Sequence, residues 1–581
     1  MFDGANSRTV SGAGVELSLV EAGDPSRPTI LFVHGYPDTK EVWSEVLPLL
    51  APRFHVAAYD VRGAGASGAP RGPAAYDYAR LADDLEAVIG AVAPSSRVHL
   101  VGHDWGGVAG WEFATTSRFA ERLASFTTIS GPSVDQLGAE LHELVRRGRV
   151  LELLRRGRRS WYVSVLVTPG GPSLWWRAIF AGRRWHAYLR NVDHTPVVSG
   201  YPADTLTADG LQGANLYRRN IPRRMLRPRG DAVAHVPVQL IMPSGDRYIS
   251  ERYYDRVPDA APQLRRRRVA GSHWAQRTHP DLIARWVGEF AEEVEAGGRV
   301  QGHALWVRGG GVAQLRDRLA LVTGAGSGIG RATALALAEH GARLLLVDRD
   351  GATVAETDAL IDGAYTFTCD VSDEAAMERL AATVLAEHGV PDVVVNNAGI
   401  GIAGSFLDTS FDDWRKIIDV NLMGVVHGCR LFGQAMVERG EGGHIVNISS
   451  GAAFAPNTTL PAYSTTKAGV KMLSECLRAE LAGAGIGVTA VFPGVIATNI
   501  TRATEYVGKL AGDQDRLRDL VSGFYERRGF TAEMVAAEIV EAIGADKPLA
   551  VVTPESKVAY ALSRVAPSML RRLAQVDTTA L

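Results

Sequence analysis

The sequence predicts an α/β protein of two consecutive units, each a parallel sheet with helices on both faces. Three observations carry this expectation. The chain has 581 residues, more than one hydrophobic core holds together. Short apolar runs alternate with helical patterns twice, once before residue 133 and again after 316. Between them lies AGGRVQGHALWVRGGG (296–311), which is glycine-rich and aperiodic. It reads as a linker, here bounded as 296–315.

The elements follow in order. TILFV (29–33) is an apolar run ending at HGYP, and FHVAAYD (54–60) is another, ending at DVRGAGAS. RVHLV (97–101) ends at GHDWGG, after which a helical pattern begins. In parallel sheets the chemistry gathers at the carboxyl ends of strands, where all three motifs lie. From about 133 to 230 the strand pattern breaks into an arginine- and tryptophan-rich, mostly helical stretch, read as a cap over the sheet. Strand character returns at VPVQLIMPSGD (236–246) and RRVAGSHW (267–274), and the helix LIARWVGEFAEEV closes a first domain at 1–295. The second domain, 316–581, opens with RLALVTG (318–324) and keeps the alternation to about 553. The halves share no repeat.

Net charge is -2, so no global field argues for nucleic acid. The three cysteines, Cys369, Cys429 and Cys476, show neither CxxC nor metal-ligand spacing, so no metal is expected; reduced core residues fit a cytoplasmic protein. The N-terminus lacks the basic start and apolar run of a secretory signal, and no apolar stretch reaches the roughly 20 residues that span a bilayer.

In GHDWGG, Gly102 and Gly106 flank Asp104, the spacing of a nucleophile elbow on a sharp strand-to-helix turn. With HGYP, a late acid (Asp246 in PSGDRY) and a late histidine (His273 in GSHWAQ), residues 1–295 resemble the α/β-hydrolase superfamily, and within it the epoxide hydrolases. The aspartate has a chemical reason. An epoxide offers a saturated carbon, and a serine there forms an ether that water does not readily cleave. A carboxylate forms an ester, hydrolysable at the enzyme's own carboxyl carbon. His273 is then the general base and Asp246 its orienter. The amides of Trp105 and Tyr36 form the oxyanion hole. The resemblance further implies two cap tyrosines that protonate the opening ring, matched by Tyr162 and Tyr217. Haloalkane dehalogenases share the aspartate elbow but carry asparagine after HG, where this chain has Tyr36; they are the alternative. A second alternative is an inactive docking module serving the other half.

TGAGSGIG (323–330) follows a strand and opens a helix. Gly324, Gly328 and Gly330 allow close backbone approach to a pyrophosphate, with Ser327 and Ile329 in the same turn. The next strand ends at Asp348, placed for the adenosine ribose hydroxyls. This favours NAD, with NADP as the alternative because Arg349 adjoins it. Residues 316–581 resemble the short-chain dehydrogenase/reductase family, through Asp370 and Val371 in CDV, Asn397, Ala398 and Gly399 in NNAG, Asn421, Ser450, Tyr463, Lys467, and Pro493 and Gly494. The resemblance implies a Rossmann-fold dehydrogenase. Tyr463 is the acid/base, its phenol pKa lowered by Lys467 on the same helix face. Ser450 bonds the substrate oxygen, Asn421 holds a relay water, Lys467 also holds the nicotinamide ribose, and Thr498 binds the carboxamide.

An epoxide hydrolase makes a vicinal diol, and a short-chain dehydrogenase interconverts alcohol and ketone. The expectation is a bifunctional enzyme for a small-molecule or lipid substrate, assembled as a homo-oligomer through the dehydrogenase helices. The arginine- and tryptophan-rich cap and the basic, amphipathic KVAYALSRVAPSMLRRLAQ fit peripheral contact with an anionic membrane, or else are solvated helix faces.

Overall fold

The computed structural model describes residues 4–149, 161–180, 183–198, 200–298, 300, 306, 309–361, 363–496 and 503–575. It forms two compact units, Met1–Ala304 and Leu305–Leu581.

The first unit is built on eight strands: β1 (Asn6–Ser11), β2 (Glu16–Ala22), β3 (Thr29–Val33), β4 (His55–Tyr59), β5 (Val98–His103), β6 (Leu123–Ile129), β7 (Val238–Pro243) and β8 (Leu264–Val269). Their order is β1-β2-β4-β3-β5-β6-β7-β8. The apolar runs at β3 and β4 are buried at every position, as strands covered on both faces must be. The sheet is not wholly parallel. β1 pairs β2, and β2 pairs β4, antiparallel. The burial of β2 alternates, a period that a search for continuous apolar runs passes over.

The cap runs through the helices Val134–Arg146, Trp161–Val167, Gly171–Leu174, Arg184–Asn191 and Leu206–Leu226, with a π turn at Trp175–Ile179. It is fastened to the sheet domain by polar contacts. Arg224 and Arg229 both reach Asp135 and Glu112. Gly65 N donates to Asp209 at 3.0 Å, and Asn220 Nδ2 donates to Tyr76 O at 2.9 Å. Trp176 and Trp185 are buried, so they face the protein interior. Three of the four consecutive arginines on β8 are paired: Arg265 with Glu293, Arg267 with Glu289 and Arg268 with Glu251.

The second unit holds β9 (Leu319–Thr323), β10 (Arg343–Asp348), β11 (Tyr365–Thr368), β12 (Val393–Asn396), the short β13 (Ile402–Ala403), β14 (Gly443–Ile448), β15 (Ile486–Phe492), β16 (Glu505–Tyr506) and β17 (Leu549–Val551). Seven form one parallel sheet, β11-β10-β9-β12-β14-β15-β17, and β13 pairs β16 separately. The expected linker is partly structured. Trp306 is 2% exposed in the core of this unit, and its backbone N–H donates to Glu441 O at 2.9 Å. One buried indole outweighs the surrounding glycines. Val312–Leu315 then forms a 3₁₀ turn. The C-terminal stretch forms the helices Pro554–Val565 and Pro567–Leu573. Among the described residues no helix is long and apolar enough to cross a membrane.

Candidate active sites

In the first unit β5 delivers Asp104 at the mouth of the sheet, with φ 48° and ψ -115°. A non-glycine residue with positive φ is strained by about 1–3 kcal/mol, and such strain concentrates at functional sites. The elbow needs its glycines: a Cβ on Gly102 would sit 2.3 Å from Gly106 backbone, and one on Gly106 would sit 2.2 Å from Val33 O. Gly35 has the same role opposite, since a Cβ there would lie 2.4 Å from Asp104 Cβ.

The triad assembles around this elbow. His273 Nε2 lies 3.6 Å from Asp104 Oδ2, and His273 Nδ1 lies 2.9 Å from Asp246 Oδ2. Asp246 also accepts from Tyr248 N at 2.8 Å and Ile249 N at 2.9 Å. Burial pushes the His273 pKa down, but the flanking carboxylates of Asp246 and Asp104 outweigh it and hold the imidazole well above its ordinary range. Burial pushes Asp246 up, yet His273 and the two backbone donors bring it below its ordinary value. The N–H of Tyr36 donates to Asp104 Oδ1 at 2.8 Å. Trp105, the other expected oxyanion donor, begins the helix Trp105–Ala114 directly after Asp104.

Tyr162 and Tyr217 both line a cavity of about 410 Å³ with Asp104 and His273. Their ring centroids are 6.4 Å apart. Burial first, then the charge of Asp104, raises both phenols well above their ordinary range, so both stay protonated. Trp175, Trp176, Trp185, Trp274, Tyr36 and Tyr248 complete an aromatic wall. The Tyr36 hydroxyl donates to Gly210 O at 2.9 Å and accepts from Trp176 Nε1 at 2.5 Å, locking the loop after β3 to the cap.

Sequence reasoning missed a buried pair behind the triad. Asp38 Oδ2 accepts from Trp274 Nε1 at 2.7 Å and Oδ1 accepts from Tyr201 at 3.1 Å. Burial raises the Asp38 pKa to about 7. His103, beside the nucleophile, donates from Nε2 to His273 O at 3.0 Å. Its Nδ1 lies 3.9 Å from Asp38 Oδ2 without a hydrogen-bond partner. Burial lowers its pKa to about 3, so the ring is neutral. Both residues stand inside the motifs HGYPD and GHDWGG, but a lone acid or histidine carries no spacing signal.

In the second unit the turn after β9 is a cradle that side chains would fill. A Cβ on Gly330 would meet Gly324 O at 2.0 Å, and Gly324 itself has φ +65°. Gly328, with φ +52°, opens the helix Gly328–Glu339, and Ser327 precedes it as N-cap. Ile329 packs partly buried against the core. Asp348 ends β10; its Oδ2 accepts from Gly326 N at 2.9 Å, which holds the carboxylate at the turn. Arg349 is exposed beside it. Asp370, ionised below its usual range first by its hydrogen bond to Ser372, feels Arg349 as well. Val371 O contacts the His427 ring at 2.9 Å. The backbone N–H groups of Asn397 and Ala398 donate to Thr323 Oγ1 at 3.0 and 3.1 Å. These residues fit a nicotinamide dinucleotide: an open glycine turn at a helix N-terminus, followed by a fixed carboxylate at the end of the next strand.

Tyr463 and Lys467 share the helix Pro461–Leu481, and Lys467 Nζ lies 5.7 Å from the Tyr463 ring centroid. The ammonium donates to Ile448 O at 2.9 Å, and burial lowers its pKa to about 8. Ser450 caps the 3₁₀ turn Gly451–Ala453, its Oγ accepting from Ala452 N. Pro493 O accepts from Gly451 N at 2.8 Å, and a Cβ on Gly494 would sit 2.0 Å from Thr553 Oγ1. A Cβ on Gly399 would lie 3.1 Å from Asn421 Oδ1 and 3.5 Å from Lys467 Nζ. Asn421 stands in a π turn, Asp419–Met423, and is fully buried. Its Oδ1 accepts from Ile400 N at 2.8 Å and its Nδ2 donates to Ile400 O at 2.9 Å. The amide therefore clamps the loop after β12. Thr498 lies outside the described residues.

Two family models match the chain: alpha/beta hydrolase fold over residues 28–280 and short chain dehydrogenase over residues 318–506. The "Probable oxidoreductase EphD" of Mycobacterium tuberculosis and that of Mycobacterium bovis are each 41% identical to it over 579 residues, covering 97% of this chain and 97% of the relative. The short chain dehydrogenase/reductase astE of Aspergillus oryzae is 37% identical over 33% of this chain and 75% of its own. A solved short chain dehydrogenase/reductase from Burkholderia phymatum, in complex with NAD, is 31% identical and covers 43% of this chain and 93% of that one, with a TM-score of 0.40. The molecule is an enzyme with a hydrolase-fold domain and an oxidoreductase domain of the kind that uses a nicotinamide cofactor. It belongs to the two-domain family that includes EphD, an alpha/beta hydrolase fold joined to a short-chain dehydrogenase.

Proposed function

We propose that the first unit hydrolyses epoxides to vicinal diols and that the second interconverts alcohol and ketone with NAD, on a lipid or fatty-acyl substrate. The observation that carries the first part is an aspartate on a strained elbow, 3.6 Å from His273, facing two protonated phenols across one aromatic cavity. A carboxylate oxygen of Asp104 attacks a ring carbon and the C–O bond breaks. The departing oxygen takes a proton from Tyr162 or Tyr217. Water then attacks the carboxyl carbon of the Asp104 ester and gives its proton to His273. The oxyanion forms near the backbone N–H of Tyr36, with Trp105 as the second donor. The tetrahedral intermediate then collapses: the bond from the carboxyl carbon to the substrate oxygen breaks, the remaining hydroxyl proton passes to that oxygen, and the diol leaves with Asp104 restored as a carboxylate.

The electrostatics support this order. In the resting site the carboxylate of Asp104 helps keep the His273 pKa high. Esterification removes that charge, the pKa falls, His273 passes its proton to the tyrosinate left by ring opening, and it becomes a base when water must be activated.

In the second unit Tyr463 exchanges the proton at the substrate oxygen, Ser450 hydrogen-bonds that oxygen and Lys467 holds its charge beside the phenol. The cofactor, when bound, gives or takes the hydride. The fixed carboxylate of Asp348 supports NAD, because a 2′-phosphate would meet a negative charge there.

The test incubates the full chain with an epoxy fatty acid, with and without NAD, and identifies products by mass. Diol without cofactor and hydroxyketone with NAD are expected. Halide release from a haloalkane, with the epoxide untouched, would overturn the reading of the first site in favour of dehalogenation.

A further inference from the structure

The helices that wall the cavity have a second face. In the stretch 161–192 there is no aspartate or glutamate. Arg177, Arg183, Arg184 and Arg190 are all exposed, and none has a carboxylate partner among the described residues. The same stretch exposes apolar side chains: Trp161 at 58%, Leu174 at 59% and Ile179 at 46%.

The inner face of the same helices supplies Tyr162, Leu166, Trp175, Trp176 and Trp185 to the cavity. The two faces are joined. The rings of exposed Trp161 and cavity-lining Trp175 are 5.4 Å apart, and Trp175 is 5.1 Å from Phe180, which in turn lies 6.0 Å from Trp176. A continuous aromatic run thus leads from the surface to the chamber of Asp104.

We infer that this outer cap face docks on an anionic lipid bilayer, with Trp161, Leu174 and Ile179 entering the headgroup boundary and the four arginines meeting lipid phosphates. Charge chooses the occupant. A protein partner or second copy must supply a carboxylate for each arginine, whereas an anionic bilayer supplies them everywhere. Tryptophan at the rim is the residue suited to that boundary. The aromatic run then gives an apolar chain a path from the bilayer to the nucleophile. This last point rests on the epoxide reading; the docking does not.

The experiment floats the full chain with vesicles of phosphatidylcholine alone and of phosphatidylcholine with 30% phosphatidylglycerol, at about 0.1 M salt, near a Debye length of 10 Å. The protein is expected to float with the anionic vesicles and to stay behind with the neutral ones. Replacing Arg177, Arg183, Arg184 and Arg190 by Gln should lower the bound fraction at least tenfold, and Trp161→Ala should lower it severalfold, with thermal unfolding of the first unit unchanged as the check on folding. Equal partition of wild type and the arginine variant would overturn the proposal. So would absence of flotation together with a change of oligomeric state in Trp161→Ala, which would assign the face to a second copy. Flotation that depends on the arginines, without diol formation from any epoxide, would keep the docking and remove only the epoxide reading.

Discussion

Asp38 is the residue whose protonation the fold controls most plainly. Burial raises it from an ordinary 3.8 to about 7, against the hydrogen bonds from Trp274 and Tyr201. The native state therefore holds this proton between about pH 4 and 7, while the unfolded chain does not. Its contribution to stability is full below the unfolded pKa and is lost as pH rises through the folded one. Asp38→Asn keeps an acceptor for Trp274, reverses the Tyr201 bond so that the amide N–H donates to the phenol oxygen, and has no proton to lose. The unfolding free energy of the variant, followed by thermal unfolding, should gain on that of wild type from pH 4 to 8, by at most about 1.4 kcal/mol per pH unit within the window; parallel profiles would show that Asp38 is not buried as described. Asp348 carries the corresponding prediction in the second unit. Asp348→Ala should lower the NAD-to-NADP ratio of kcat/KM by about tenfold or more, read from initial rates with each cofactor, because about 1.4 kcal/mol of discrimination is a factor of ten. Asp348 was legible because a motif fixes its distance from TGAGSGIG. Asp38 and His103 were not, since only the folded chain brings Trp274, Tyr201 and His273 to them.

At the scale of elements, the strands that were continuous apolar runs, β3, β4, β5 and β7, could be read directly. Two kinds were lost. β1 is an edge strand with mostly exposed positions, β2 beside it alternates, and the two pair antiparallel. β6, LASFTTI, is wholly buried but mixes Ser125, Thr127 and Thr128 with its apolar residues. The cap was legible as helical and its extent close to that of the helices from Val134 to Leu226. Which side each tryptophan takes was not, because short helices and a π turn break the 3.6-residue period. What holds the cap is also a tertiary fact. Asp135 accepts from Arg224 and from both the side chain and backbone of Arg229, pinning the end of the cap to its start. Asp135→Ala leaves two partly buried guanidiniums with Glu112 as their carboxylate among the described residues, beside the hydroxyls of Thr115 and Thr116 on Arg229. It should cost about 3 kcal/mol, at the low end for a broken buried ion pair because Glu112 remains. Thermal unfolding of the first unit checks this, and a raised KM for epoxide with little change in kcat should accompany it.

For the whole molecule, the claim is that two complete and chemically independent sites share one chain. Asp104 lies in the unit Met1–Ala304 and Tyr463 in the unit Leu305–Leu581. Asp104→Asn should abolish diol formation and leave alcohol oxidation intact, while Tyr463→Phe should do the reverse, each by about 10²–10⁴-fold. The claim stands most directly on the covalent step at Asp104, since a docking module would have no such step. His273→Gln removes the base and leaves the nucleophile, so the ester should form and persist. The decisive measurement is mass spectrometry of the Asp104 peptide after this variant has been incubated with an epoxy fatty acid. The account predicts that peptide heavier by the mass of the substrate. An unmodified peptide, from a variant whose wild type converts the same epoxide to diol, would contradict it.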